Sequence, residues 1–205
     1  MKYNPDIHHR RSIRLQGYDY SQNGAYYVTL CTQNRECLFG EIVKGEMILN
    51  EYGKIVEQCW NNLSNHYDNI ELDAYVIMPN HFHGIILITD TVDNVDNVDN
   101  VGAIHELPLH ESPIHELPIQ SPIQSPQQRR KMLLPKIVGR FKMNSAKQIN
   151  QMRNTPGISV WQRNYYEHII RNDKSLENIR NYIINNPSEW YYDDYNPKKV
   201  KYEKQ

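Results

Sequence analysis

The chain has 205 residues, of which 39% are hydrophobic and 23% charged, and its formal net charge is -1. That length supports one domain with a core of its own, read as a single unit over residues 1–205. No apolar run reaches the roughly 18 residues of a membrane span, and the opening MKYNPDIHHRRSIRLQG has no apolar secretory segment, so a cytoplasmic protein is expected. Three cysteines, Cys31, Cys37 and Cys59, form no CxxC pair; a disulfide frame or a cysteine zinc cage is excluded in favour of reduced thiols.

In chain order, GAYYVTLCTQN (24–34) is rich in β-branched and aromatic residues and predicts a first strand. LFGEIVKGEMILN (38–50) sets short apolar runs around Gly40 and Gly45 and predicts a small hairpin. EYGKIVEQCWNNLSNHY (51–67) places Ile55, Val56, Cys59, Trp60 and Leu63 at helical spacing. IELDAYVIM (70–78) and HFHGIILIT (81–89) are two strands joined at Pro79-Asn80, and so pair antiparallel. Later, Val138, Phe141, Ile149 and Met152 keep one helical face, with Ser145 at the missing step. TPGISVWQ (155–162) reads as a loop and YYEHIIRN (165–172) as a fourth core strand. A last helix is expected from about Ser175, with Leu176, Ile179 and Ile183 on one face and Pro187 near its stop. The tail from Ser188 is polar and is expected to be extended. Strand, helix, strand, strand, helix, strand and a final helix is the order of an α+β, ferredoxin-like split βαβ fold: an antiparallel sheet with helices on one face and the other face open.

Residues 90–128 break this pattern. They repeat VDN three times and IHELP twice, and predict a low-complexity, disordered insert. The insert carries seven acids (Asp90, Asp93, Asp96, Asp99, Glu106, Glu111, Glu116) and no Lys or Arg, so the remainder holds 17 acids against 23 bases, about +6. Residues 129–154 hold eight bases and no acid: Arg129, Arg130, Lys131, Lys136, Arg140, Lys142, Lys147 and Arg153. Arg10, Arg11 and Arg14 form a smaller cluster. Such a surface attracts phosphate backbones, and Lys136, Arg140, Lys142 and Lys147, with the three N-terminal arginines, are the candidate DNA contacts. An ordinary solvated helix face is the plainer alternative.

The densest chemistry lies in YVIMPNHFHGIILIT (75–89). Residues i and i+2 of a strand share a face, so His81 and His83 project together while Phe82 turns into the core. Their α-carbons stand about 6.7 Å apart from the rise per residue, and two imidazoles can converge from there on one cation, each about 2.1 Å away. The spacing alone also fits two satisfied histidines in a half-exposed strand. On the last helix Tyr182 and Asn186 are four apart and share a face. An Asn186 amide oxygen could join the imidazoles, and the Tyr182 phenol could attack a phosphodiester, although packing is the commoner role of a helical tyrosine. A free phenol has a pKa near about 10 and needs a neighbouring charge to react.

MPNHFHGII, followed much later by VWQRNYYEHIIRNDKSLENIRNYIINNP, resembles the single-tyrosine HUH transposases, and within them the REP-associated tyrosine transposases of the insertion-sequence-200-like family. RRSIRLQGYDYSQNGAYYVTLCTQNR near the start resembles the same family. The resemblance runs from about Arg10 to Trp190 apart from the insert. It implies a metal-dependent strand transferase acting on single-stranded or hairpin DNA, as monomer or homodimer. His81 and His83 would be metal ligands, Asn186 the third polar ligand, and Tyr182 the nucleophile that forms a 5′-phosphotyrosine. The ion implied is Mg2+ or Mn2+. Two other classes remain open at this point: a hairpin-binding protein that does not cut, and a metal-dependent phosphoesterase on small nucleotides with Tyr182 only structural. His168, beside Glu167, is expected to pack or hydrogen-bond.

Overall fold

The computed structural model describes Leu15, residues 18–90 and residues 131–199. Arg10, Arg11, Arg14, Arg129, Arg130 and all of the acidic insert beyond Asp90 lie outside the described residues. The elements are β1 (Gly24–Cys31), β2 (Gly40–Val43), β3 (Glu46–Leu49), α1 (Glu51–Asn61), β4 (Ile70–Met78), β5 (His81–Ile88), α2 (Leu133–Met152), β6 (Tyr166–Ile170) and α3 (Asp173–Asn185). Four strands form one antiparallel sheet in the order β4-β5-β1-β6, and β2 and β3 pair as a separate hairpin. This is the expected split βαβ arrangement, with β1 and β5 at its centre.

Alternation along β1 and β5 sorts the core into two layers. Tyr26, Val28, Leu30, Phe82 and Ile86 meet α1 and α2 through Trp60, Ile137, Val138 and Phe141. The rings of Trp60 and Phe82 lie 4.6 Å apart, and those of Phe82 and Phe141 5.1 Å apart. Tyr27, Ile85 and Ile170 point the other way and meet Leu176, Ile179 and Ile183 of α3. The face expected to stay open is therefore covered by the last helix, whose Leu176, Ile179 and Ile183 pack on it.

The helix ends explain their positions. Asn50 accepts from Gly53 N at 3.0 Å and starts α1; Asn172 accepts from Ser175 N at 2.8 Å and starts α3. That cap sets the start of α3 two residues before Ser175. α2 has no side-chain cap of its own. Its first amides are taken up by the chain before β1: Leu133 N donates to Ser21 Oγ at 2.9 Å and Leu134 N to Tyr20 O at 3.1 Å. Ser145, in the apolar face of α2, is satisfied twice: it donates to Phe141 O at 2.7 Å and accepts from Trp161 Nε1 at 2.9 Å. Thus 155–162 is a loop as expected, but Val160 and Trp161 belong to the core. Met152, expected on the same face, is 54% exposed at the last residue of α2, although Ile149 in the same turn is buried.

α3 is also fixed to the sheet by charge. A register shift between Leu72 and Tyr75 of β4 puts Asp73 at a bulge. Its carboxylate accepts from Arg180 Nε at 3.0 and 3.2 Å and also pairs with Nη2. The Arg180 hydrogen bonds hold the Asp73 carboxyl below the usual range. Its clamp is therefore present above the ordinary carboxylate range and lost as pH falls through the depressed native value.

Two outcomes follow from this packing. A Cβ added at Gly84 would stand 2.7 Å from Trp60 Cζ2 and 2.8 Å from Phe82 Cε1. Gly84→Ala is expected to destabilise the protein by about 1–3 kcal/mol through overpacking, read by urea unfolding. Arg180→Ala is expected to cost no more than about 1 kcal/mol, because the arginine is part-exposed. It should nonetheless speed amide hydrogen exchange in α3 selectively over β5.

Candidate active site

Pro79-Asn80 turns β4 into β5, and the first residues after the turn are His81 and His83, 0% and 1% exposed. They sit on the α3 side of the central pair, opposite Cys31 and Thr29 of β1. Asn80 fixes the first imidazole. Its Nδ2 donates to Tyr195 O at 2.7 Å and to Arg35 O at 3.1 Å, which turns its Oδ1 toward His81 Nδ1, 2.9 Å away. Nδ1 therefore carries the proton and Nε2 presents its lone pair. His83 Nδ1 lies 2.6 Å from the Tyr27 hydroxyl and 2.9 Å from Thr29 Oγ1. Among the described residues both Nε2 atoms are buried without a hydrogen-bond partner, as is Asn186 Oδ1 at the C-terminal cap of α3.

Burial keeps the imidazoles neutral. His81 is pushed down to about 3, mainly by desolvation, with Asn186 opposing and Arg35 adding to the shift. His83 lies well below the ordinary imidazole value, again from burial and then from His81. Leaving a buried polar atom unpaired costs about 1–3 kcal/mol. Here three buried polar atoms have no hydrogen-bond partner among the described residues, at the cleft between β5 and the end of α3. Two imidazole nitrogens backed by hydrogen-bonded Nδ1 atoms and an amide oxygen are a donor set that fits a divalent cation. Among the described residues no three His, Cys, Asp or Glu side chains make such a cage on their own; the amide is needed.

The Tyr182 ring stands edge-on to His83 with centroids 5.3 Å apart, and 6.5 Å from Tyr27. It is 48% exposed, so the phenol borders both the cleft and solvent. Burial and then Asp193 raise its pKa, while Asn186 lowers it. The structure thus brings His81, His83, Tyr182 and Asn186 together.

The DNA-contact candidates are elsewhere. α2 packs on the sheet face opposite α3, so its bases do not line this cleft. Lys136 and Lys147 are exposed and Arg140 is half-buried. Lys142 departs from the expected role: its ammonium donates to Gln162 O at 2.6 Å and Arg163 O at 3.0 Å, and burial lowers its pKa to about 8. It ties α2 to the loop before β6 and is not a free phosphate ligand.

The tail departs from the expected extended form. Trp190–Tyr192 make a short 3-10 turn, and the chain then crosses over His81, with the Tyr195 ring 4.6 Å and the Trp190 ring 5.9 Å from the imidazole. The Arg35 guanidinium lies 5.0 Å from the centre of the Tyr195 ring. Asn80, Tyr27, Thr29, Asp193 and Tyr195 were not singled out from the sequence. Pairing β1 with β5 and following the alternation would have found Tyr27 and Thr29; the tail has no periodicity that would have revealed its partner.

No family model matches the chain. Over 192 residues it is 42% identical to an uncharacterized protein of Haemophilus influenzae (strain Rd), covering 94% of this chain and 96% of that protein, and it belongs to one family with it. A second protein of that organism, 24% identical over 169 residues with 82% of this chain and 73% of that one covered, carries the provisional name REP-associated tyrosine transposase. The name that the motifs point to is thus carried by a weak homologue. Among solved structures, a REP-associated tyrosine transposase bound to a REP hairpin shares 16% identity at a TM-score of 0.45, over 87% of this chain and 72% of that one. A provisionally named transposase of Deinococcus radiodurans R1 shares 14% at 0.40, over 85% and 97%.

The buried imidazoles predict an acid response of the metal-free protein. Native pKa values below the unfolded one mean that the unfolded chain binds protons first, so stability falls as pH drops below about 6.5. For His81 the loss continues to about 3. Urea unfolding at stepped pH should show this slope, and His81→Gln should flatten it.

Proposed function

We propose that this protein is a transposase-type single-strand DNA endonuclease and strand transferase, dependent on a divalent ion and using Tyr182 as nucleophile on hairpin-bearing DNA. The observation that carries the reading is the convergence of three unpaired buried donors, His81 Nε2, His83 Nε2 and Asn186 Oδ1, beside the Tyr182 ring. The provisionally named relative supports transposase chemistry in general. The hairpin and the 5′-phosphotyrosine rest on the resemblance of MPNHFHGII and the Tyr182–Asn186 helix to the REP-associated enzymes.

His81, His83 and Asn186 would hold Mg2+ or Mn2+. That ion, when bound, polarises the scissile phosphate and offsets its developing charge. The Tyr182 oxygen attacks phosphorus, its proton passing to solvent. An O–P bond forms to the phosphate of the 5′ end, the bond to the 3′ oxygen breaks, and that oxygen leaves as a 3′-OH once protonated. The phosphotyrosine keeps the bond energy, so a second 3′-OH can displace the tyrosine without ATP. Asn80, Tyr27 and Thr29 orient the imidazoles so that Nε2 faces the cleft. Because α2 lies in the other layer, Lys136, Arg140 and Lys147 would hold backbone phosphates away from the cleaved bond, anchoring the duplex part of a hairpin.

The test is an adduct assay with single-stranded hairpins from the DNA flanking the gene, labelled 3′ of the cleavage point. Mn2+ is expected to yield a protein–DNA band that survives denaturation, falls to background with chelator and is lost in Tyr182→Phe. A band that persists in Tyr182→Phe would overturn the nucleophile. Hairpin binding with no adduct in any metal would make the protein a non-cleaving binder, and turnover of a mononucleotide unaffected by Tyr182→Phe would make it a phosphoesterase.

A further inference from the structure

The segment after α3 brings a carboxylate to the imidazoles. Asp193 Oδ2 stands 3.7 Å from His81 Nε2, with side chains 9% and 0% exposed. Its other oxygen, Oδ1, accepts from Tyr195 N at 2.7 Å, which holds Oδ2 in place. The segment itself is fastened: Asn80 Nδ2 donates to Tyr195 O at 2.7 Å, Arg35 donates to Asp194 O at 3.3 Å, and Asn196 Nδ2 to Trp190 O at 3.0 Å. Among the described residues no lysine or arginine forms an ion pair with Asp193; Lys199, which is near, pairs with Asp194.

This arrangement sets two acceptors against each other. Asn80 makes His81 Nδ1 the donor, so the Nε2 lone pair and a carboxylate oxygen face each other in a buried cleft. A separation of 3.7 Å is too long for a hydrogen bond to join them. It lies at the wide end of what two donors of one ion adopt: atoms each about 2.1 Å from a cation stand about 3.0–3.6 Å apart for angles from about 90° to about 120°.

We propose that Asp193 is a further ligand of the divalent ion, so that the ion is held by His81, His83, Asn186 and Asp193 and joins the post-helix segment to β5. The inference rests on the metal reading above and adds to it a ligand from outside the tyrosine helix. The added oxygen is hard and charged. It favours Mg2+ and Mn2+ over the softer ions that two imidazoles alone would select.

The test is Mn2+ affinity of the full chain by calorimetry and by loss of the free-ion EPR signal, with Zn2+ as the comparison. Asp193→Asn keeps an Oδ1 to accept from Tyr195 N but removes the charge. It is expected to weaken Mn2+ binding at least about tenfold, with a smaller loss for Zn2+. Asn196→Ala, which loosens the segment and leaves the carboxylate, is expected to bind Mn2+ within a few-fold of the parent. Parent-like affinity in Asp193→Asn alongside lost binding in His83→Ala would overturn the Asp193 ligand and leave the metal reading standing. A loss in Asn196→Ala as large as in Asp193→Asn would also overturn it, assigning the effect to the fastening of the segment. If the parent shows no saturable Mn2+ binding, both readings fall.

Discussion

The structure depends on what covers the second face of the sheet. A ferredoxin-like sheet buries one face under two helices by construction. Here the other face carries Ala25, Tyr27, Ile85 and Leu87 at one level and His81 and His83 at the next, and α3 is laid across it. Ile179 and Ile183 find the apolar level, Arg180 finds Asp73 at the bulge in β4, and the end of α3 then falls over the imidazoles. The two anchors differ in kind: apolar contact sets how close the helix lies, and the bidentate ion pair sets its rotation and slide. Only with both set do residues four apart on the helix, Tyr182 and Asn186, reach the same end of β5.

That covering is also what gives the histidines their chemistry. In a half-exposed strand they would be solvated and would titrate near neutral pH. Under α3 and the segment after it they are buried and neutral. Burying these polar atoms is a cost that apolar docking elsewhere must offset. Tyr182 sits at the margin of the same cleft, and its phenol is held in the protonated form by burial and by Asp193. A divalent ion held by His81, His83 and Asn186 would oppose each of these effects: it would pair with the imidazole nitrogens and the amide oxygen and would favour the Tyr182 phenolate.

Much of this was legible in the sequence because it follows from period. The alternation of β5, the Pro79-Asn80 turn, the i, i+4 pair on α3 and the apolar faces of α1 and α2 are patterns that local geometry makes obligatory. The strand bounds of β4 agree to the residue. What was not legible depended on tertiary partners. Lys142 looks like its basic neighbours, and only the approach of the loop before β6 turns it inward. Met152 keeps the helical spacing but, as the last residue of α2, is exposed. Asp193 lies in a polar tail with no period, and that tail is placed by the hydrogen bonds of Asn80 to Tyr195 O and of Arg35 to Asp194 O, from over a hundred residues away in sequence, which no local rule connects.

Asn80 shows how few contacts hold the arrangement. One amide serves three elements: its nitrogen donates to the Arg35 and Tyr195 carbonyls, and its oxygen accepts a hydrogen bond from His81 Nδ1. Rotating that amide by half a turn would place a donor against His81 Nδ1, force the ring proton onto Nε2 and remove the lone pair from the cleft. The two carbonyls bar that rotation, since each would then face an oxygen. The seat of the C-terminal segment and the tautomer of a candidate metal ligand are thus one constraint. The residue between the proline and the first histidine is as much a part of the site as the histidines themselves.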